Sequence, residues 1–518
     1  MSNNKNNPPI SVHSFMFLFR WDLIINNTTN EKSFLSQRSN LVNFHNIFTK
    51  CNTLKRSIFN LNEDKQKYNE FIYFHSFART VLYDSDASHF ENKTTLFYEI
   101  TGNEGDYFQI ETLENNSFKL SFKSIKLHVF NTGVGLLSFN LENYTYNNEH
   151  DILCINEFGR RIYPQFLDNN EDCLLSVKKT FLADRIHGKI DHLSFDEDFK
   201  QYNSILTTDD VFLVPDFIKM IFNQKSEIRE NVLIFKNTPS TTGDIRISLL
   251  TDDRMYFMSN FLNTEIVIPL SETIKINEQF IYEFQNNDFW NSYIFGSKSV
   301  RTDLIKDYNS ILDITYSRWI KRGTIYGISR DSFVSISNTD KTRIDMQSMY
   351  YQIAIICLVQ RASILRFSYE VSNITKLFKD GYNVSGHIKD LYKNYIAFVN
   401  NIYFREITSQ IQGHEIYNKI HLQMNIEKDI KDLDYEIQEL YNYVSLGEQE
   451  KLNKIASWFL PASIIAGIMG MNAFSEDTML FKGDEINWSA WGWIGIAILL
   501  SVLVAFITSK LVNVKIKK

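Results

Sequence analysis

Residues 460–474 read LPASIIAGIMGMNAF, the end of an apolar run that starts at Ile455 and closes on Gly470, Met471 and Asn472. Asparagine is costly in hydrocarbon and glycine is a poor helix interior. In a helix that only anchors a soluble protein this ending is incidental; in a helix that lines a pore it is the part that matters. Ile455–Met471 carries no charge over seventeen residues, about 26 Å as helix at ~1.5 Å per residue, close to the ~30 Å hydrocarbon core of a bilayer. A second apolar segment, Trp491–Thr508, holds Trp493, follows Trp488 and leads into Lys510, Lys515, Lys517 and Lys518. The tryptophans are placed as an aromatic belt, and the lysines predict a cytoplasmic C-terminus. Two spans then return the N-terminal part to the same side, giving a multi-pass protein of the inner membrane with both termini cytoplasmic.

The remainder of the chain bounds the chemistry. At 518 residues it has room for two or three domains. A formal net charge of −7 and the lack of a dense Lys/Arg block exclude a direct nucleic-acid binder. Cys51, Cys154, Cys173 and Cys357 are far apart, with no CxxC pair, which predicts reduced cysteines and neither a disulfide frame nor a zinc site. There is no HExxH pair, Walker loop or nucleophile elbow, so no catalytic constellation emerges and the chain is not read as an enzyme. The polar start, MSNNKNNPPI, lacks the apolar core of a signal peptide.

Three regions follow. Residues 1–340 carry short alternating runs such as TLFYEI, FKLSF and GLLSFNL between Asn, Asp and Gly breaks, which predicts an α+β cytosolic domain, mostly antiparallel. Within it Gly133-Val134-Gly135 is flanked by strand-like sequence, so a tight hairpin is a better reading than a phosphate loop. Residues 341–452 read as long helices forming a stalk: one across RIDMQSMYYQIAIICLVQRASILRFSYEVSNITKLF, a break at Gly381 and Gly386, and a second from about 387 towards the membrane. In that second stretch Ile426, Ile430, Leu433, Ile437, Leu440 and Val444 are spaced 4-3-4-3-4, either the seam of a multi-copy stalk or core packing within one subunit. Residues 453–518 are the transmembrane hairpin and its basic tail.

One hairpin cannot enclose an aqueous path, so a pore requires several copies of one helix. Reading back from Asn472, Gly467, Ser463, Leu460, Ala456 and Leu452 make one face of small, hydroxyl and aliphatic groups, suited to a pore wall or to helix–helix packing. LPASIIAGIMGMN, with its short loop, second span and basic tail, resembles the CorA-type magnesium transporter family, as does QIQGHEIYNKI at 410–420. The resemblance implies a funnel-shaped homopentamer set in membrane lipid, with the first span lining the pore. Asn472 matches the ring at the outer mouth, Gly470 and Met471 shape the turn that presents it, and Ser463 and Leu460 fall on the wall below. The permeant or gating ion would be Mg2+ or another hydrated divalent cation, which keeps its waters and suits amide oxygens that accept hydrogen bonds from them. In the linker, Glu476, Asp477, Asp484 and Glu485 either concentrate cations at the mouth or belong to a solvated loop. Family members sense magnesium between cytosolic domains, and the stalk's Glu427, Asp429, Asp432, Asp434, Glu436 and Glu439 are either such ligands or the solvated face of the seam.

The region before the hairpin is much larger than in an ordinary transporter of this family. FNTGVGLLSFNL, FGRRIYPQFL, WIKRGTIYGISRDSFV and YYQIAIICLVQRASILRFSYEVS are similar to the CorA-related effectors associated with type III CRISPR systems. That resemblance implies antiviral defence and a nucleotide second messenger, S-adenosylmethionine joined to AMP, received by the large domain. Arg160 and Arg161 beside Phe158 and Tyr163, and Arg318, Arg322 and Arg330 around Trp319 and Tyr326, supply guanidiniums for phosphate and aromatic faces for a base. Each group equally suits a strand edge with ordinary salt bridges. The alternative function is a housekeeping magnesium or other divalent-cation transporter gated by cytosolic divalent ion.

Overall fold

The computed structural model describes residues 7–24, 40–49, 53–61, 65–84, 93–112, 114–162, 183–199, 215–222, 226–229, 232–235, 244–250, 254–276, 279–298 and 305–470, then 481–482, 485–486, 496 and 499. The chain divides into two units, Met1–Asp434 and Tyr435–Lys518. The protein is mixed α/β.

The first unit is organised by β1 (Ser11–Ile24). Its sequence, HSFMFLFRWD, alternates, and both sides are covered, so Ser11–Leu23 are buried throughout. Phe15, Phe17, Phe19, Trp21 and Leu23 enter the main apolar core, while Ser14, Arg20 and Asp22 belong to the opposite face. The path continues with β2 (Tyr107–Thr112), β3 (Ser117–Phe130), β4 (Val134–Asn143), β5 (Ala183–Ile190), β6 (Leu193–Asp198), β7 (Tyr256–Leu262), β8 (Thr315–Tyr316), β9 (Thr324–Ile328) and β10 (Ser332–Ser337). The spatial order is β8-β9-β10-β7-β1-β4-β3-β2-β5-β6. Every neighbouring pair along it is antiparallel except β7 with β10, where Phe257 stands beside Ser332.

The hairpin reading of Gly133-Val134-Gly135 is correct. Gly133 has φ +77° and its amide donates to the Phe130 carbonyl at 3.0 Å, closing the β3–β4 turn. Gly135 pairs with Phe19, where a Cβ would come within 2.2 Å of the Phe19 ring.

Helices cover both faces. On the side of Phe15 lies α1 (Glu149–Gly159), capped by Asn148, whose side chain accepts from the His150 amide, and α2 (Asp288–Phe295) ends on Gly296 at φ +58°. On the other side, α3 (Asp340–Gln347) turns at Ser348 into α4 (Met349–Lys379). Tyr351 of α4 meets Ser138 of β4 by a hydrogen bond. Arg366, fully buried, donates two hydrogen bonds to Asp22 and lies 3.4 Å from Glu370. Arg20 sits 3.8 Å over the Tyr369 ring, so charged side chains of β1 and α4 interlock beneath the Gly133 turn.

Among the described residues, one helix is long and apolar enough to cross a membrane, Asp340–Lys379, with mean hydropathy 1.2; 83 % of its apolar window is buried inside the protein. Here the expected stalk is corrected. The helix that opens it lies inside the sheet-bearing unit, and its long apolar stretch, free of Gly and Pro, reflects burial against β1 and β4. The second stretch is broken twice as well, into α5 (Ser385–Asn401), α6 (Ile411–Gln423) and α7 (Ile426–Gly470), with Asn425 at φ +56° between the last two.

The 4-3-4 seam is buried within the single chain: Ile426, Ile430, Leu433, Ile437 and Val444 are covered and Leu440 is half-covered. At its start the Tyr395 hydroxyl of α5 reaches the Ile430 carbonyl at 3.4 Å. In the second unit α7 runs unbroken to Gly470, and Phe481–Lys482 pairs with Glu485–Ile486 in a short antiparallel ladder.

Candidate functional site

Two of the arginine groups singled out from sequence have different fates. Arg160 caps α1 at φ −86°, ψ −2°, and the chain then runs beside the start of β7. Arg161 bridges Arg254, and the Met255 amide donates to the Arg160 carbonyl at 2.7 Å. Further along, the Phe257 amide donates to the Asp331 carbonyl at 3.2 Å, which brings the turn before β10 alongside. Three segments distant in sequence therefore set Arg160, Arg161, Arg254, Arg330 and Asp331 on adjacent backbones.

Arg160 is only 1 % exposed. Its Nη2 donates to the carbonyls of Phe295 and Gly296 at 3.0 and 2.9 Å, and its guanidinium carbon lies 5.0 Å from the Phe257 ring centre. Nε and Nη1 have no hydrogen-bond partner, and no carboxylate pairs with this side chain among the described residues. Burial, with the charges of Arg161 and Arg254 beside it, pushes its pKa down to about 9, against the weaker pull of Asp331 and Glu157. The group still carries its charge at neutral pH.

Glu157, one turn earlier, accepts from the Lys298 amide at 3.0 Å, and burial raises its pKa above the ordinary carboxylate range. Arg361 of α4 donates to the Arg330 carbonyl at 3.0 Å and lies 3.5 Å from Asp331, while the Arg330 side chain is exposed. Arg254, Lys298 and Arg361 were missed in the sequence. Nothing in their local context marks them: a backbone bridge to Arg161 places Arg254, the Lys298 amide bonds Glu157, and Arg361 reaches Arg330 and Asp331 from α4.

Arg318, Arg322, Trp319 and Tyr326 are engaged by protein groups. Arg318 Nη1 donates to Glu415 Oε1 at 2.6 Å, Tyr316 Oη to Glu415 Oε2 at 2.5 Å, and Trp319 Nε1 to Gln412 Oε1 at 2.8 Å. Arg322 and Arg318 lie 4.8 and 5.7 Å from the Trp319 ring centre. Together they fasten the turn after β8 to α6. Tyr326 is buried against Phe333 and Tyr350.

Next to these rings Asp345 of α3 has its pKa pushed up to about 6 by burial, opposed only by Lys341. A carboxyl raised in the fold favours folding when protonated, and that contribution is lost as pH rises through about 6. Asp345→Asn is therefore expected to raise the melting temperature at pH 8. The gain should shrink towards pH 4, and a pH series of melting curves on both proteins checks it.

Towards its C-terminal end α7 carries Leu452, Ile455 and Phe459 at 64 %, 54 % and 67 % exposure. Ser463, exposed, returns its hydroxyl to the Phe459 carbonyl at 2.9 Å. Gly470 is the last helical residue, and the Leu460 backbone lies in the same helix. Glu485 stands opposite Lys482 in the short ladder. Met471, Asn472, Glu476, Asp477 and Asp484 lie outside the described residues, as does most of the second predicted span. Lower on α7, Glu427 is paired with Lys431 at 2.6 Å, and no group of three or more His, Cys, Asp or Glu side chains converges among the described residues. No family model, curated protein or solved structure matches the chain.

Proposed function

We propose that the chain is a CorA-like, homo-oligomeric membrane cation pore. Its first unit receives a nucleotide second messenger of the S-adenosylmethionine–AMP kind, in the service of type III CRISPR antiviral defence. The observation that carries this reading is α7, a continuous helix of 45 residues, about 68 Å at ~1.5 Å per residue. It joins the acidic, seam-bearing start directly to the uncharged run that ends at Gly470, in which Ile455 and Phe459 are exposed. The homopentamer and the Asn472 ring come from the resemblance of residues 460–472 to that family.

The test is reconstitution of the full chain in lipid vesicles, with divalent-cation flux followed by an internal indicator and copy number by native mass spectrometry. A pentamer whose flux changes on adding the conjugate supports the reading. Flux indifferent to the conjugate but inhibited by magnesium on the cytosolic face would replace it with the housekeeping transporter. A monomer without flux would leave only a hairpin-anchored binding protein.

A further inference from the structure

Arg160 holds donors that the chain itself does not use. An unpaired charge removed from water is among the costliest features a fold can retain, and an apolar side chain of similar volume would avoid that cost. Two carbonyls satisfy one nitrogen of this guanidinium, while Nε and Nη1 face no acceptor. The neighbouring charges aggravate the situation. Arg161, Arg254 and Arg160 repel one another, and Glu157 leans towards its neutral form through burial. Around the buried Arg160 the cations grade outward, Arg254 and Lys298 being half-buried and Arg330 exposed.

We infer that this corner of the first unit, where the end of α1 meets the starts of β7 and β10, is a binding site for the phosphate group of a small phosphorylated molecule. The free Arg160 nitrogens and the exposed Arg330 supply its donors. Several features select phosphate over other anions. Guanidinium forks match phosphate oxygens in pairs. Arg160 Nε and Nη1 face no acceptor, and two oxygens of one phosphate can satisfy both at once.

Among the described residues, the two rings at the corner are already engaged. Phe257 is already faced by Arg160 and Phe158 by the Lys298 ammonium at 4.7 Å, so recognition falls on phosphate oxygens. Arg361 gives the site a link to α4. Its hold on Asp331 and the Arg330 carbonyl is a contact that an arriving anion competes for. The inference rests on the reading above only in taking the first unit to receive a phosphorylated ligand; it requires no pore.

The experiment measures equilibrium binding and melting temperature of the full chain in nanodiscs, without any flux readout, using inorganic phosphate, pyrophosphate, AMP and adenosine. At least one of the three phosphate-bearing probes is expected to bind and raise the melting temperature, and which of them does so separates free phosphate from a nucleotide. Adenosine is expected to do neither. Arg330→Ala, at an exposed position, is expected to weaken binding about ten-fold, the loss of one charge-assisted hydrogen bond. Arg160→Met should abolish binding while leaving the unliganded protein at least as stable, and Arg318→Ala should bind as wild type does. The inference is overturned if none of the phosphate-bearing probes binds, if adenosine binds as well as AMP, or if Arg160→Met and Arg330→Ala both keep wild-type affinity. Binding here with no vesicle flux would remove the pore and keep the site; flux with no binding would do the reverse.

Discussion

Arg366→Ala is expected to destabilise the first unit by about 3 kcal/mol, among the largest losses any single side chain of the protein can produce. Arg366 is fully buried, donates to both oxygens of Asp22 and sits 3.4 Å from Glu370. Burial alone would lower its pKa, but Asp22 and Glu370 together more than reverse that, so the guanidinium is held firmly charged. Removing it strands Asp22 and Glu370 under α4. Arg20 Nε remains 3.5 Å from Asp22, which keeps the loss at the lower end of the range for broken buried pairs. Chemical denaturation of the wild type, Arg366→Ala, Asp22→Leu and the double variant checks this. The double variant should lose clearly less than the sum of the two singles, because it removes both charges together. Additive losses would show that the pair is not coupled.

The same residue type thus appears in two states. Arg366 is buried among carboxylates and its pKa rises; Arg160 is buried among arginines and its pKa falls. Sequence cannot separate these cases, since both arginines sit in ordinary apolar contexts. What separates them is tertiary placement: α4 packs Arg366 over Asp22 of β1, and a backbone bridge sets Arg254 beside Arg161. Other features were readable from one residue and its neighbours. The alternation of β1, the Gly133 turn and the 349–379 helix follow from period, from φ > 0 and from the absence of breakers. The seam of α7 shows the limit of such patterns. A 4-3-4 spacing states that one helix face is buried, and it carries no information on whether another copy or the same chain covers it. Ile430, Leu433 and Ile437 are buried by their own chain. The contacts of the Arg318–Trp319 group were hidden for a related reason. Its partners Glu415 and Gln412 lie about a hundred residues away and come within reach only through α6.

If the chain is the cation pore proposed above, with Asn472 ringing its mouth, Asn472→Ala is expected to abolish flux while leaving the oligomer intact. A divalent ion that keeps its water shell is recognised through its waters, which donate hydrogen bonds outward to whatever oxygens ring the mouth. A neutral amide accepts those bonds and lets go again, whereas alanine offers no acceptor, so the ring ceases to hold the hydrated ion at all. With one amide contributed by each copy the loss is multiplied around the axis, and a drop in flux of at least about a hundred-fold follows from even ~0.6 kcal/mol lost per amide in a ring of five. Asn472→Asp is the informative companion. Its carboxylates hold the ion longer and slow its departure, so binding at the mouth should tighten while flux falls. Vesicle flux and native mass spectrometry on both variants decide the matter. Wild-type flux through a pentamer of Asn472→Ala would remove Asn472 from the permeation path and reduce Gly470–Asn472 to the end of an anchor.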